Sequence, residues 1–289
     1  MAEAHAADFC PALVGSMSQG AAGNPTVAMV EAAFRHHNLH WRYVNMEVAP
    51  ADLPAAVAGA RALGFRGFNL SMPHKVTVIP LLDGLGESAR LIGAVNCVVR
   101  RDGRLVGENT DGQGFLASLR ERIDPRGREI VLFGAGGAAR AVAVELALAG
   151  AGRITVVNRS RARGAELVEV LRGGTSTAAD LVEWHGDFAV PPTADVVING
   201  TSIGLYDAEA RVPVERASLR PGLVVADVVF SPPETRFLRE ARAAGATAID
   251  GLGMLVNQGV IGVRHWTGRD PDVPTMRRAL ADALGVSSA

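Results

Sequence analysis

The chain has 289 residues, enough for a substantial hydrophobic core, and this length is typical of two domains. Its net charge of −1 and its isoelectric point near 6.7 lack the basic surplus of a nucleic-acid-binding protein. Aromatic residues make up only 5% of the chain, which disfavours stacking platforms for bases. The composition therefore points away from a nucleic-acid-binding protein.

Neither the cysteines nor the apolar segments indicate a secreted, metal-binding or membrane protein. Cys10 and Cys97 do not form a C-x-x-C pair, so we expect two buried, reduced thiols and no metal site. Residues 1–10 carry two acids and lack the apolar core of a signal peptide. The most apolar segment, 130–148, is interrupted by glycines and by Arg140. The sequence predicts a cytoplasmic protein with no membrane-spanning segment.

The first part of the chain alternates predicted strands and helices. In order these are a strand "WRYVNMEV" (41–48), a helix "LPAAVAGARAL" (53–63), a strand "GFNLSM" (67–72) and a hairpin around Asp102 and Gly103 within 90–111. This alternation predicts a separate α/β domain over residues 1–110.

The middle of the chain contains β-branched runs that are typical of buried parallel strands. They are "EIVLF" (129–133), "ITVVN" (154–158), "DVVIN" (195–199) and "LVVADVVF" (223–230). The alanine- and leucine-rich residues 138–150 predict a helix between the first two. Such alternation predicts a Rossmann-type doubly wound sheet over residues 111–250. Helices predicted over 251–289 return to complete the first domain, and we expect 172–180 to be a mobile loop.

A glycine-rich loop joins the first of these strands to its helix. Gly134-x-Gly136-x-x-Ala139 has the spacing of a dinucleotide-binding turn, in which the backbone approaches a pyrophosphate and the third small residue lets the helix pack on the strand. The loop also includes Ala135, Gly137 and Ala138. The alternative is a glycine turn that binds nothing.

The end of the next strand distinguishes NADP from NAD. An NAD site usually has an acid there, but this strand ends in Asn158, Arg159 and Ser160, followed by Arg163. Two guanidinium groups four residues apart at a helix start suit a 2′-phosphate. We therefore predict NADP as the cofactor; the alternative is a pair of solvated arginines.

Polar side chains interrupt the first domain at strand or hairpin ends. Three stretches are involved, "GFNLSMPHK" (67–75), "GAVN" (93–96) and "GENTDGQGF" (107–115). They place in one region Asn69, Ser71, Lys75, Asn96 and Asp111. Lys75 follows a rigid proline and a short strand, so its position is constrained.

With these motifs the chain resembles the shikimate dehydrogenase family. That family is marked by N-[VL]-[TS]-x-P-x-K, G-A-V-N, N-T-D and a G-A-G-G-A loop, and the order is kept here. The likeness continues through "NGTSIG" (199–204), "DVVF" (227–230) and "DGLGMLVNQG" (250–259). The resemblance implies a substrate domain and an NADP domain with the active site in the cleft between them.

The resemblance also implies the chemistry. The family interconverts 3-dehydroshikimate and shikimate with NADP, a step of aromatic amino acid biosynthesis. Lys75 matches the family's lysine, which would serve the reacting oxygen as acid and base. Asp111 matches the carboxylate that would orient the ammonium. The alternatives are a surface lysine after a turn and an aspartate that caps a helix.

Further positions match family sites. For the substrate these are Asn69, Ser71, Asn96 and Gln258, and near the cofactor they are Glu87, Thr201, Val228 and Gly251. His74 within the motif is interpreted as a loop side chain. His36 and His40 have metal-ligand spacing on a predicted helix, but no third ligand is evident, so a solvated face is favoured.

Two departures lie on the substrate side. Ser16 and Ser18 keep the spacing of the family's S-x-S-P signature, whose serines hold the substrate carboxylate before a helix, but Gln19 replaces the proline. Phe230 stands where many members have tyrosine, which removes one hydroxyl from the pocket. The hypotheses are thus a shikimate dehydrogenase, a paralogue that acts on quinate, aminoshikimate or another cyclic hydroxy acid, and a non-catalytic NADP-binding sensor. A homodimer is a further option.

Overall fold

The computed structural model describes residues 9–286, which form two compact units. Each unit is assembled from separate stretches of the chain. The first unit comprises the described residues up to Leu85, Val95–Glu108 and the residues from Gly262 onward, and the second comprises Gly86–Ala94 and Asn109–Ile261. The α/β class predicted from the sequence is confirmed, and residues 86–94, 109–110 and 251–261 lie in the second unit rather than in the first.

The described residues contain twelve strands and ten α-helices. The strands are β1 (Ala12–Ser18), β2 (Trp41–Glu47), β3 (Gly67–Leu70), β4 (Gly84–Leu85), β5 (Cys97–Arg101), β6 (Arg104–Glu108), β7 (Glu129–Phe133), β8 (Arg153–Asn158), β9 (Ala178–Glu183), β10 (Val196–Asn199), β11 (Val224–Asp227) and β12 (Thr247–Ile249). The helices are α1 (Thr26–His36), α2 (Leu53–Ala62), α3 (His74–Thr77), α4 (Glu87–Ile92), α5 (Thr110–Arg120), α6 (Gly137–Leu148), α7 (Arg161–Gly174), α8 (Arg236–Ala243), α9 (Gly251–Thr267) and α10 (Val273–Leu284).

The first unit is built on a mixed sheet with the order β2-β1-β3-β5-β6-β4. β1 lies parallel to β2 and β3, whereas β5 is antiparallel to β3 and β6. The predicted hairpin is confirmed, because β5 and β6 are joined at Asp102 and Gly103, whose φ angles are 50° and 77°. Positive φ at both central residues matches the twist of a two-residue hairpin turn. On one side of this unit, α10 packs against α1.

The second unit is the predicted Rossmann-type sheet. Its order is β12-β11-β10-β7-β8-β9, and all its pairings are parallel. This is the six-stranded order of dinucleotide-binding domains. The central strands β7 and β10 bury nearly all their residues because parallel strands are covered on both faces. The buried face of α6, from Ala139 to Ala147, completes the core.

Some predicted elements are wrong in extent. Residues 172–180 are not a loop throughout, because α7 continues to Gly174 and β9 begins at Ala178. Arg172 fixes this connection by donating from Nε to the carbonyl of Ala179 at 2.9 Å. β11 is shorter than the predicted 223–230.

The two cysteines differ in exposure. Cys97 in β5 is buried as expected, but the expected burial of Cys10 is wrong, because Cys10 lies before β1 and is exposed.

Among residues 9–286, no helix has both the length and the apolar character needed to cross a bilayer.

Candidate active site

Three polar side chains lie in one row across the first sheet. Ser16 in β1 is the register partner of Asn45 in β2 and of Asn69 in β3, and such partners point to the same face. The Ser16 hydroxyl donates to Asn45 Oδ1 at 2.8 Å. The Asn24 amide in turn donates to Ser16 Oγ at 3.2 Å. This face therefore presents amides and a hydroxyl without a charged group among them.

The amide of Asn69 is held in one orientation. Tyr43 donates from its hydroxyl to Asn69 Oδ1 at 2.8 Å, and Asn69 Nδ2 donates to the carbonyl of Asn96 at 3.0 Å. Burial raises the pKa of Tyr43 far above its ordinary value, so the phenol keeps the proton that it donates. The predicted residues Ser16, Asn69 and Asn96 thus lie together within the first unit. Sequence reasoning missed Tyr43 and Asn45, although their i, i+2 spacing in "YVN" places two polar side chains on one strand face.

Lys75 lies in the short helix α3 and is half-buried. Its carbonyl accepts a hydrogen bond of 2.8 Å from the amide of Val95, which ties the helix to the "GAVN" stretch. His74 is not a loop side chain, because it begins this helix and is fully buried. Its Nε2 lies 2.8 Å from the carbonyl of Val48. The imidazole therefore anchors the backbone from which Lys75 projects.

The two remaining serines of the first unit differ in exposure. Ser18 is buried at the end of β1, and its carbonyl accepts from the amide of Val48 at 3.1 Å. Ser71 is exposed after β3, and its carbonyl accepts from the amide of His74 at 2.8 Å. Their substrate-binding roles stay predictions.

Asp111 does not cap α5. Asn109 is the capping residue, because its Oδ1 accepts from the amides of Asp111 at 3.2 Å and Gly112 at 3.4 Å. The capping alternative for Asp111 is thus wrong, and its half-buried carboxylate stands in the first helical turn. Lys75 belongs to the first unit and Asp111 to the second, so their predicted pairing stays a prediction.

The α9 segment of the second unit packs closely on α5. A Cβ at Gly114 would lie 2.7 Å from the backbone nitrogen of Gln258, so a glycine is required there. Gln258 is buried, and its Nε2 donates to the carbonyl of Leu255 at 3.0 Å. Gly251 lies against β11's end, where a Cβ would meet the carbonyl of Val229 at 2.3 Å. The predicted positions in α9 are therefore fixed by backbone contact.

The glycine loop has the geometry of a pyrophosphate site. Gly134 has a φ of 102°, which favours glycine, and its amide donates to the carbonyl of Val157 at 2.9 Å. Ala139 packs closely on Gly200, where an added Cβ would lie 2.8 Å from the Ala139 Cβ. Gly136 precedes the first turn of α6, supplies no side-chain acceptor to the helix amides and has open space where a Cβ would be. These features fit a dinucleotide phosphate at the helix N-terminus.

The end of β8 leaves arginines available for a further phosphate. Ser160 caps α7 by accepting from the amide of Arg163 at 3.4 Å. Arg159 and Arg163 are both exposed, and neither guanidinium forms an ion pair with the side chains of residues 9–286. Arg161, between them, faces Glu183 at 3.8 Å. The two predicted arginines therefore carry uncompensated positive charge, whereas Asn158 donates to the carbonyl of Ser160 at 2.7 Å and holds the turn.

The carboxyl ends of β10 and β11 contain a buried polar network. Asp227 is fully buried and accepts from Asn199 at 2.9 Å, from Thr235 at 2.8 Å and from the amide of Val229 at 3.0 Å. Burial raises the pKa of Asp227 to about 6, although these hydrogen bonds oppose the shift. Thr201 joins the network by donating to Asn199 Oδ1 at 2.6 Å. Sequence reasoning passed over Asp227, although it opens the "DVVF" motif.

The remaining predicted positions are Val228, Phe230 and Glu87, whose contacts and exposure do not indicate a role. Val228 follows β11, and its amide donates to the carbonyl of Asn199 at 3.1 Å. Phe230 is half-buried, and Glu87 is exposed in the first turn of α4. Their roles stay predictions.

The histidine pair does not form a metal site. α1 ends at His36, so His40 lies beyond the helix, and both side chains are exposed. Over residues 9–286, no cluster of three or more potential metal ligands was found.

Family models cover most of the chain. The shikimate dehydrogenase substrate binding domain matches residues 24–98, the shikimate / quinate 5-dehydrogenase model matches 118–229, and the shikimate 5'-dehydrogenase C-terminal domain matches 251–281. The shikimate dehydrogenase (NADP(+)) of Moorella thermoacetica is 45% identical over 264 residues, or 90% of this chain and 89% of that protein.

Solved structures are similar as well. The ligand-free 5-ketofructose reductase of Gluconobacter sp. strain CHM43 has a TM-score of 0.93 and 52% identity, over 95% of this chain and 99% of that one. The shikimate 5-dehydrogenase of Listeria monocytogenes, in complex with shikimate and NAD, has a TM-score of 0.87 and 32% identity, over 93% and 96%. The resemblance predicted from the motifs is confirmed: the chain belongs to the shikimate dehydrogenase family.

Proposed function

We propose that this chain is an NADP-dependent oxidoreductase of the shikimate dehydrogenase type, which interconverts a ketone and a secondary alcohol. 3-Dehydroshikimate and shikimate are the first candidate pair, since the Moorella relative carries that name. The observation that carries the proposal is the position of Lys75, which is the only lysine in the sequence. It lies at the family's lysine position, on a helix tied to the "GAVN" stretch.

A lysine is the chemically appropriate residue there. Reduction of a ketone builds negative charge on its oxygen, and that oxygen must receive a proton. An ammonium group can give up a proton and regain it, whereas a guanidinium stays protonated in proteins. Positioned acid–base catalysis of this kind contributes about 10²–10⁴ in rate. We assign Asp111 to orient the ammonium and to accept from a substrate hydroxyl.

The other polar residues would orient the substrate. Asn69 has a fixed amide that donates to the backbone carbonyl of Asn96, and we assign both residues to hydrogen bonds with substrate hydroxyls. Ser71, Gln258 and Phe230 complete the assigned substrate positions. Preorganised side chains of this kind reduce the ordering cost of binding.

NADP would be held by the second unit. The amides beside Gly136 and Gly137 would bind the pyrophosphate, and the exposed Arg159 and Arg163 would bind the 2′-phosphate. When bound, NADPH supplies the hydride. We place Thr201 beside this site, because it lies against Gly134.

A second candidate substrate is 5-ketofructose. The Gluconobacter reductase that carries this name is 52% identical to the chain, whereas the Moorella shikimate dehydrogenase is 45% identical. The reaction class and the assigned lysine are the same for both substrates.

Substitution of Lys75 tests the proposal. Lys75→Ala and Lys75→Arg should each lower kcat by at least about a hundredfold, because neither side chain can give up a proton. A primary amine added to Lys75→Ala should restore part of the rate, and NADPH affinity should be unchanged. Near-normal turnover in Lys75→Arg would refute the acid–base assignment. Tight NADPH binding without turnover on either substrate by the unmodified protein would instead indicate the non-catalytic sensor.

Location and assembly are further expectations. We expect the protein in the cytoplasm, and a homodimer remains a prediction. Cell fractionation and sedimentation measure the two directly.

A further inference from the structure

The segment before α1 lacks the hydroxyl pair of the family signature. In S-x-S-P the serines lie three residues and one residue before a proline that precedes a helix. Pro25 is the residue that precedes α1, so these positions fall on Ala22 and Asn24. Ser16 and Ser18 lie instead inside β1. The serine spacing noted in the sequence therefore belongs to a strand, and neither residue before the helix carries a hydroxyl.

Ser16, Asn24 and Asn45 form an uncharged, hydrogen-bonded cluster at the first sheet. Ser16 donates to Asn45 Oδ1 at 2.8 Å and accepts from Asn24 Nδ2 at 3.2 Å. Asn45 Nδ2 donates to the carbonyl of Asn24 at 3.0 Å, and Asn24 Oδ1 accepts from the amide of Thr26 at 3.0 Å. The Ser16 hydroxyl is fully buried and already has both a donor and an acceptor. The hydrogen bonds of the cluster are therefore made within the protein, and its members are neutral.

A carboxylate of the protein lies next to this cluster. Glu47 accepts from the amides of Gly20 at 2.6 Å and Ala21 at 2.7 Å, immediately after β1. Glu47 is also the register partner of Ser18. Two backbone amides that could serve an anion are thus occupied by an anion of the chain.

The stretch of sequence that contains Ser16, Asn24 and the two amides bound by Glu47 carries no basic residue. No lysine, arginine or histidine occurs between residues 6 and 34. A substrate carboxylate placed beside Glu47 would meet a like charge, which disfavours its ionised form. A hydroxyl or carbonyl group would meet no such repulsion.

We propose that this part of the substrate site selects an uncharged polyhydroxylated ketone, of the ketose class, over a ring that carries a carboxylate. The specificity is set by the absence of hydroxyls at Ala22 and Asn24 and by the charge of Glu47. The inference rests on the proposed function, since it concerns the substrate of the same NADP-dependent reaction. It favours the second candidate substrate.

The unmodified enzyme provides the first test. Initial rates with NADPH would be measured for 5-ketofructose and 3-dehydroshikimate, and rates with NADP for shikimate and its carboxamide. We expect kcat/KM to be at least a hundredfold higher for 5-ketofructose than for 3-dehydroshikimate, and the carboxamide to be used at least as well as shikimate. A preference for 3-dehydroshikimate, with loss of activity on the carboxamide, would overturn the inference and leave the proposed function intact. No turnover on any of the four would reject both.

Variants of the enzyme provide the second test. Glu47→Gln should raise the ratio of kcat/KM for 3-dehydroshikimate to kcat/KM for 5-ketofructose at least fivefold. Glu121→Gln, an exposed substitution with the same charge change in the second unit, is the matched control and should leave this ratio unchanged. The double substitution Ala22→Ser with Asn24→Ser should shift the substrate ratio further towards the carboxylate. Equal effects of Glu47→Gln on both substrates would contradict the assignment.

Discussion

Asn199 donates a hydrogen bond of 2.9 Å from its side-chain amide to the carboxylate of Asp227, its register partner on the neighbouring strand. The acceptor is fully buried, and burial raises its pKa from 3.8 to about 6. The folded protein therefore holds a proton on Asp227 over a pH range in which the unfolded chain has lost it. The hydrogen bonds fix the ends of β10 and β11, which are followed by Thr201 and Val228. The arrangement requires an ionisable carboxyl group, that of Asp227, to be buried.

This shift predicts a specific pH dependence of stability. Because the folded pKa is raised, the protonated Asp227 contributes fully below pH 3.8, and this contribution is lost as the pH rises through about 6. The loss is about 3 kcal/mol, at roughly 1.4 kcal/mol per pKa unit. Asp227→Asn should remove it, so the difference in unfolding free energy between wild type and variant should change between pH 4 and pH 7. Urea unfolding measures this difference, and a difference that is constant across that range would contradict the shift.

Much of the second unit could be predicted from the sequence, because its central strands are recognisable locally. The residues of β7 and β10 are nearly all apolar, since both faces of a parallel strand are buried. β9 was missed because it lies at the sheet edge and mixes polar residues with apolar ones, as "AADLVE". Its conformation depends on pairing with β8, which a local pattern does not reveal.

The candidate site likewise contains residues that the sequence motifs identify and residues that only the fold brings together. Lys75 and Asp111 could be assigned because their motifs are contiguous in sequence. The cluster of Ser16, Asn24 and Asn45 could not, since Ser16 and Asn45 are 29 residues apart and meet only through strand register. Register is set by the packing of whole strands, so the spacing of the two serines does not by itself place Ser16 beside Asn45.

Gly67 provides a test of how tightly the strand before Lys75 is packed. A Cβ there would lie 2.2 Å from the carbonyl of Val98 and 2.4 Å from Nε1 of Trp266. Gly67→Ala should therefore destabilise the protein by about 1–3 kcal/mol, because the backbone must move. Gly59→Ala, in α2 with open space around the added methyl, is the matched control and should stabilise by about 0.5–1 kcal/mol. Thermal unfolding of both variants checks the contrast, and equal effects would refute it.

Substitution of Gly136 distinguishes an effect on cofactor binding from an effect on folding. Open space surrounds the position of an added Cβ, so Gly136→Ala should leave the melting temperature nearly unchanged. If a pyrophosphate lies against this backbone, the methyl group should raise KM for NADPH at least about tenfold, as expected where glycine permits close approach. Gly173→Ala, which also adds a methyl into open space, should leave KM for NADPH unchanged. An unchanged KM in Gly136→Ala would mean that the phosphate does not lie there.

Arg159 determines, on our assignment, the choice between NADP and NAD. Its guanidinium is exposed and makes no ion pair with residues 9–286, so a 2′-phosphate would gain a charge-assisted hydrogen bond there. Such a bond contributes about 1.5–3 kcal/mol, so Arg159→Ala should raise KM for NADP by roughly 10- to 100-fold. KM for NAD, which lacks that phosphate, should stay the same. Arg161→Ala is the matched control, because Arg161 is equally basic and exposed but faces Glu183 at 3.8 Å. Steady-state kinetics with both cofactors give the answer: an equal rise for NADP and NAD, or an Arg161→Ala variant as impaired as Arg159→Ala, would place the 2′-phosphate elsewhere.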